Sequence, residues 1–134
     1  MVRLIDSSVF IAMERRGEGL EPLITFGEAT FALASITASE LMVGIERSTS
    51  PRQRQRRRVF VETILRDLPV IAFDLEIARI HARLFADLEG IGRLIGHNDL
   101  IIAATALARG YSVLTHNVRH FDRVQGLVVE VPNW

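Results

Sequence analysis

The recurrence of apolar residues divides the chain into alternating strands and helices. Val2 to Ile5 is a short run with β-branched residues that stops at Asp6-Ser7-Ser8, as a buried parallel strand followed by capping residues would. A helix from Val9 to about Arg15 follows, and Gly17 and Gly19 break it. Leu20 to Phe26 reads as a short helix closed by Gly27, and Thr30 to Ala34 as a second strand. Ser35 to Thr37 reads as a turn. Thr37-x-x-Glu40 has the form of a capping box ahead of a helix to about Arg47, with Leu41, Met42 and Ile45 on its apolar face. Ser48 to Pro51 is a break, and Pro51 suits the first turn of the next helix. That helix opens on arginines and continues with Phe60, Val61, Ile64 and Leu65, spaced for one buried side. Pro69 to Phe73 is a third strand. Asp74 caps a helix running to about Leu88, with Ile77, Ile80, Leu84 and Leu88 on one face and Gly90 and Gly92 beyond its end. A strongly apolar helix from about Asn98 to Arg109 comes next, stopped by Gly110, with Asn98 in the capping place. Tyr111 to Thr115 is a fourth strand, Asn117 to Phe121 a short helix or turn, and Leu127 to Val131 a fifth strand.

Strands alternating with helices predict an α/β fold: a three-layer α/β/α sandwich around a central, mostly parallel sheet. No repeat or linker interrupts the pattern, so residues 1–134 form a single domain. With 49% hydrophobic and 24% charged residues the chain can bury a core, which excludes a disordered protein. The uncharged runs are too short to span a bilayer, and Asp6 interrupts the N-terminal apolar stretch too early for a signal peptide. No cysteine is present, which excludes disulfides and thiolate metal sites and fits a cytoplasmic location. Acids and bases balance at sixteen each, so no global field favours nucleic acid. Every basic residue is arginine, and Arg52, Arg54, Arg56, Arg57 and Arg58 form one dense run. Such a run is either a solvated helix face or an RNA-binding surface, since arginine grips phosphate bidentately.

Ligands of an open parallel sheet bind outside the carboxyl ends of its strands. Asp6 lies just past the first strand, Glu40 near the start of the helix after the second, and Asp99 at the start of the helix leading into the fourth. Thr115-His116-Asn117 lies just past the fourth strand. If the strands are parallel and adjacent, all of these fall on one rim. Carboxylates gathered there repel one another unless a proton or a cation intervenes. A hard divalent cation such as magnesium or manganese takes oxygen ligands, keeps several waters and commonly engages substrate phosphates, which suits phosphodiester hydrolysis by a metal-activated water. Singly, each acid is explained as well by helix capping, because Asp and Glu are favoured in first turns. Capping gives no reason for the acids to share a rim.

Four segments together resemble the PIN-domain family: Leu4-Ile5-Asp6-Ser7-Ser8-Val9; Ser39-Glu40-Leu41-x-x-Gly44; Ile95-Gly96-x-x-Asp99-Leu100-x-Ile102-Ala103-Ala104-x-Ala106; and Leu114-Thr115-x-Asn117-x-x-x-Phe121-x-x-Val124-x-Gly126-Leu127. More narrowly they resemble the VapC-type toxins of bacterial toxin–antitoxin pairs. The resemblance covers the whole chain in order. It implies a magnesium- or manganese-dependent endoribonuclease that cleaves single-stranded or loop RNA, with Asp6, Glu40 and Asp99 as metal carboxylates. It also implies a homodimer and a VapB-like antitoxin, whose extended tail directs a cation at the acids. The segments Val9–Met13 and Leu41–Ile45 are then candidates for the groove that tail fills, or are plain core.

The chain departs from the family where many relatives carry a fourth acid before the phenylalanine. His120 precedes Phe121 here and Asp122 follows it. Asn117 or His120 would supply a neutral ligand or a water contact, or Asp122 would substitute if the turn aims it inward. Thr115 and Ser8 are candidates to orient the carboxylates. His97, His116 and His120 are expected near the rim, and His81 on a helix surface or in routine packing. The histidine spacing matches no usual zinc pattern. Glu46 and Arg47, one to two turns beyond Glu40, either edge the groove or are ordinary exposed positions. Aromatic residues are too few for a base-stacking platform. Two alternatives remain: a PIN-like module that binds RNA or protein without cutting, and a phosphate-accepting receiver domain. The receiver would require its acceptor after a later strand and a lysine that this chain lacks.

Overall fold

The computed structural model describes residues 1–24 and 30–134. Five strands, β1 (Val2–Ile5), β2 (Thr30–Ala34), β3 (Val70–Ile71), β4 (Ser112–Leu114) and β5 (Val129–Glu130), make one sheet in the order β3-β2-β1-β4-β5. Each of the four pairings is parallel. The strand nearest the N-terminus is therefore the centre of the sheet, with Arg3 opposite Phe31 on one side and Ser112 on the other. A central parallel strand is covered on both faces, and Leu4 and Ile5, which point to opposite faces, are both fully buried.

The helices are α1 (Ser7–Arg15), α2 (Glu21–Ile24), α3 (Ser35–Glu46), α4 (Pro51–Asp67), α5 (Leu75–Gly90), α6 (His97–Arg109) and α7 (Val118–Phe121). Ile5, Leu33 and Leu114 pack beneath α1, α3 and α4, meeting Phe10, Met13, Leu41, Ile45 and Ile64. Leu4, Ala32 and Val113 pack on the other face beneath α5, α6 and α7, meeting Leu88, Leu100, Ile102, Ala103 and Phe121. Two cores separated by one sheet make the three-layer sandwich. Burial of Leu100 and Ile102 stabilises α6 by roughly 1.5–3 kcal/mol each, and this anchors the helix that carries Asp99.

Several boundaries follow the expected chemistry. Ser50 caps α4 by accepting from the Gln53 amide, with Pro51 at the first helical position, and Asp74 caps α5 by accepting from the Ile77 amide at 2.9 Å. Gly110 ends α6 in the left-handed region, at φ 69°. Others differ. Ser35 to Thr37 is helical, because α3 begins directly after β2 with Ala34 at its N-cap. The capping box is therefore not formed: Thr37 is buried inside the first turn, and its hydroxyl has no hydrogen-bond partner among the described residues. Helix α6 starts at His97 with Gly96 at the N-cap, so Asn98 is not the cap. Helix α1 starts at Ser7, before Val9. Of the helix expected from Leu20 to Phe26, Glu21–Ile24 is helical; Thr25 to Gly27 lie outside the described residues. Strands β3, β4 and β5 are shorter than their apolar runs, since ladder pairing reaches only as far as the neighbouring strand offers partners. No described helix is long and apolar enough to cross a membrane.

Candidate active site

Because β1, β2 and β4 are adjacent and parallel, their carboxyl ends open on one rim, and the acids collect there. Asp6 follows β1 at the N-cap of α1, yet its side chain accepts nothing from the helix backbone, and it is only 2% exposed. Its Oδ2 accepts from the hydroxyls of Thr115 and Ser8, each at 2.8 Å. Those hydroxyls are themselves oriented: the Asn117 amide donates to Thr115 Oγ1 at 2.9 Å and the His116 amide to Ser8 Oγ at 3.1 Å. With a lone pair of each oxygen occupied, the single proton of each hydroxyl is directed to the carboxylate.

Glu40 stands in the second turn of α3, partly buried, facing α6. The Asn98 side chain stands beside it and favours its ionised form, while Oε1 is buried without a hydrogen-bond partner among the described residues. Burial first, then the charges of Asp6 and Asp99, push the Glu40 carboxyl above its ordinary value; the Asn98 side chain pulls the other way. Asp99 is the third residue of α6 and is also pushed up, by burial first and then by Asp6. His120 opposes that shift, its Nδ1 lying 2.8 Å from Asp99 Oδ2. The N-terminus of α6 has no side-chain cap, so the positive end of its dipole is left to Asp99.

Among the described residues no three acid or histidine side chains close into a metal-binding cage. The donor set nevertheless fits a hard cation. It presents oxygen ligands, mutual repulsion and one buried carboxylate oxygen without a partner, and magnesium usually keeps several waters and binds through few carboxylates. A metal of this type would take Asp6, Glu40 and Asp99.

Other expected residues divide. Ser8, Thr115 and the Asn117 backbone join the Asp6 network, and His120 joins Asp99. Asp122 is exposed at the C-cap of α7 and takes no part in the hydrogen bonds around the acids. His116 contributes its backbone amide. His97 lies edge-on to His81 at 6.1 Å, so its ring packs towards α5. His81 is half-buried with its Nε2 unpartnered among the described residues, and burial, then the nearby His97, pull its pKa down. Sequence reasoning missed Asn98 as a site residue: its position beside Asp99 was the signal, and its aptitude for capping concealed it.

A cleft of about 520 Å³ opens at Glu40 and Asn98 and runs between α1, α3 and α4. Arg57 lines it but is committed to structure. Its guanidinium bonds Glu14 Oε1 at 3.1 Å and the Gly44 carbonyl at 2.9 Å, tying α4 to α1 and α3. Arg52, Arg54, Arg56 and Arg58 are exposed on α4, Arg54 also reaching the Glu46 carbonyl.

Residues 3–127 match the PIN-domain family, and the chain belongs to it. Within that family it is of the VapC type. It is 35% identical to ribonuclease VapC1 of Rickettsia felis over 126 residues, 94% of this chain and 92% of that protein. It is 29% identical to the tRNA(fMet)-specific endonuclease VapC of Salmonella typhimurium over 95% of each. The fold superposes on a chain of the DNA-bound VapBC complex of Salmonella typhimurium with a TM-score of 0.85, at 28% identity and 98% coverage of both chains.

Proposed function

We propose that this chain is a metal-dependent endoribonuclease and the toxin of a type II toxin–antitoxin pair. The observation that carries the reading is the convergence of Glu40 and Asp99, both with raised pKa, on the hydroxyl-braced Asp6. Asp6, Glu40 and Asp99 would hold magnesium or manganese. When bound, such an ion lowers the pKa of a water and offsets charge building on the phosphate. Ser8 and Thr115 aim Asp6, Asn98 stands beside Glu40, and His120 steadies Asp99. Arg52, Arg54, Arg56 and Arg58, exposed near the start of α4, add positive surface for RNA. The same acidic rim suits a cationic side chain from a VapB-like antitoxin, which would compete with the metal. The relatives' names support the ribonuclease, and one of them makes tRNA the first substrate to assay.

Asp6→Asn or Asp99→Asn is expected to abolish magnesium- or manganese-dependent RNA cleavage, and growth arrest on expression, with an unchanged circular dichroism spectrum. Wild-type cleavage by either variant would reject the assignment. The contact of His120 with Asp99, which occupies one carboxylate oxygen, favours a second reading: a PIN-like module that binds RNA or protein without cutting. Tight RNA binding with no cation-dependent cleavage would select it.

A further inference from the structure

Helix α1 starts at Asp6, α3 carries Glu40 in its second turn, and each closes on an arginine. Arg15 is the last residue of α1, nine positions after Asp6; Arg47 is the C-cap of α3, seven after Glu40. Both line the cleft that opens at Glu40. At 1.5 Å per residue Arg47 lies about 10 Å and Arg15 about 13 Å along its helix from its acid. Both are exposed, and among the described residues neither guanidinium has a hydrogen-bond or ion-pair partner, in contrast to Arg57 between them. A polyanion whose scissile phosphodiester sits among carboxylates meets repulsion there, and its neighbouring phosphates need cations farther along.

We propose that Arg15 and Arg47 form a phosphate subsite for the nucleotides flanking the scissile bond, with the cleft as the track of a single RNA strand. The proposal rests on the endoribonuclease reading. The distances keep both arginines off the reacting phosphate, so they act in binding rather than in the chemical step. Exposed Ile11 and Val43, on the same two helices, give the track apolar walls against which ribose or base faces rest. Simple complementation of two helix C-termini would also place cations here; it predicts lower stability on their removal and no change in RNA binding.

The test is the double variant Arg15→Gln, Arg47→Gln of the full chain, with Arg66→Gln on an exposed part of α4 as control. Binding of a labelled mixed-sequence single-stranded RNA is measured without divalent cation across a salt series, and cleavage is measured with manganese. The double variant is expected to raise KM roughly tenfold at low salt with kcat and manganese affinity unchanged. The salt dependence of log K should become shallower by roughly 0.7 per arginine. An unchanged salt slope, with weakened binding of an acidic peptide instead, would overturn the proposal in favour of a protein partner. A joint fall in kcat and manganese affinity would overturn it by placing the arginines in the acid site. If the wild type binds RNA but cleaves none, the endoribonuclease reading fails, while a shallower slope in the variant still upholds the subsite.

Discussion

Asn98 and Asp99 are neighbours in sequence that serve two different helices' worth of chemistry. Asp99 faces His120, and Asn98 stands beside Glu40 of α3 and favours its ionised form. Removing that side chain takes away a polar neighbour that favours the ionised Glu40, whose Oε1 is already buried without a partner among the described residues. Asn98→Ala is therefore expected to weaken manganese affinity by about tenfold, as losses of groups that orient metal ligands generally do. Calorimetric titration of the cation-free protein checks this without recourse to activity, and an unchanged affinity would remove Asn98 from the site. At this scale the sequence revealed residue types and missed partners. That Asp6, Glu40 and Asp99 share one rim was readable from their places relative to strand ends. Asn98 was misassigned because a side-chain amide beside a helix start serves equally as a cap or as a donor across a gap, and only the true start at His97 separates the two. Arg57 was legible as a cation, but its engagement by Glu14 and Gly44 was not, since both lie on other elements.

Among elements, the glycines that look alike in sequence have opposite roles. Gly110 sits at φ 69° with nothing near an added Cβ, so a side chain there meets backbone strain alone; Gly44 lies within α3, also with open space around a Cβ. Gly110→Ala is expected to destabilise the fold by about 1 kcal/mol and Gly44→Ala to stabilise it by about 0.5–1 kcal/mol, read by chemical denaturation. Gly44 lines the cleft, so the same Ala also narrows the track and should raise KM for RNA. Both signs reversed would contradict a left-handed turn at Gly110 and a helical Gly44. Helix existence was well marked by apolar period and breakers, as α4 and α5 show with their Ser50 and Asp74 caps. Starts at the rim were not: α1, α3 and α6 lack side-chain caps, so the usual signals pointed to the wrong residues. The bare N-termini of α1 and α6 lie at Asp6 and Asp99, where their positive ends favour anionic groups.

For the molecule as a whole, the acids set a link between protons, cation and stability. Glu40 and Asp99 have folded pKa values raised above their ordinary 4.5 and 3.8. Such carboxyls favour the folded state when neutral, so that contribution is complete below the ordinary values and is lost as pH rises through the raised ones. A bound cation works in the opposite direction. Scanning calorimetry should show the rise in Tm given by manganese shrinking as pH falls from neutral through that window, and Glu40→Gln raising the Tm of the cation-free protein at neutral pH. A manganese effect independent of pH would contradict cation binding at these carboxylates. The rim itself was legible from the alternation of strands and helices, because parallel order alone sends every strand end to one side. What order could not give was which strand is central, and that choice has a consequence in time. β1, at the N-terminal end, is the middle of the sheet, and it pairs with β4, more than a hundred residues later. Asp6 is made more than a hundred residues before the Thr115 that braces it and the His120 that faces Asp99. During synthesis the acidic rim is therefore incomplete until the fourth strand has been translated and docked beside β1.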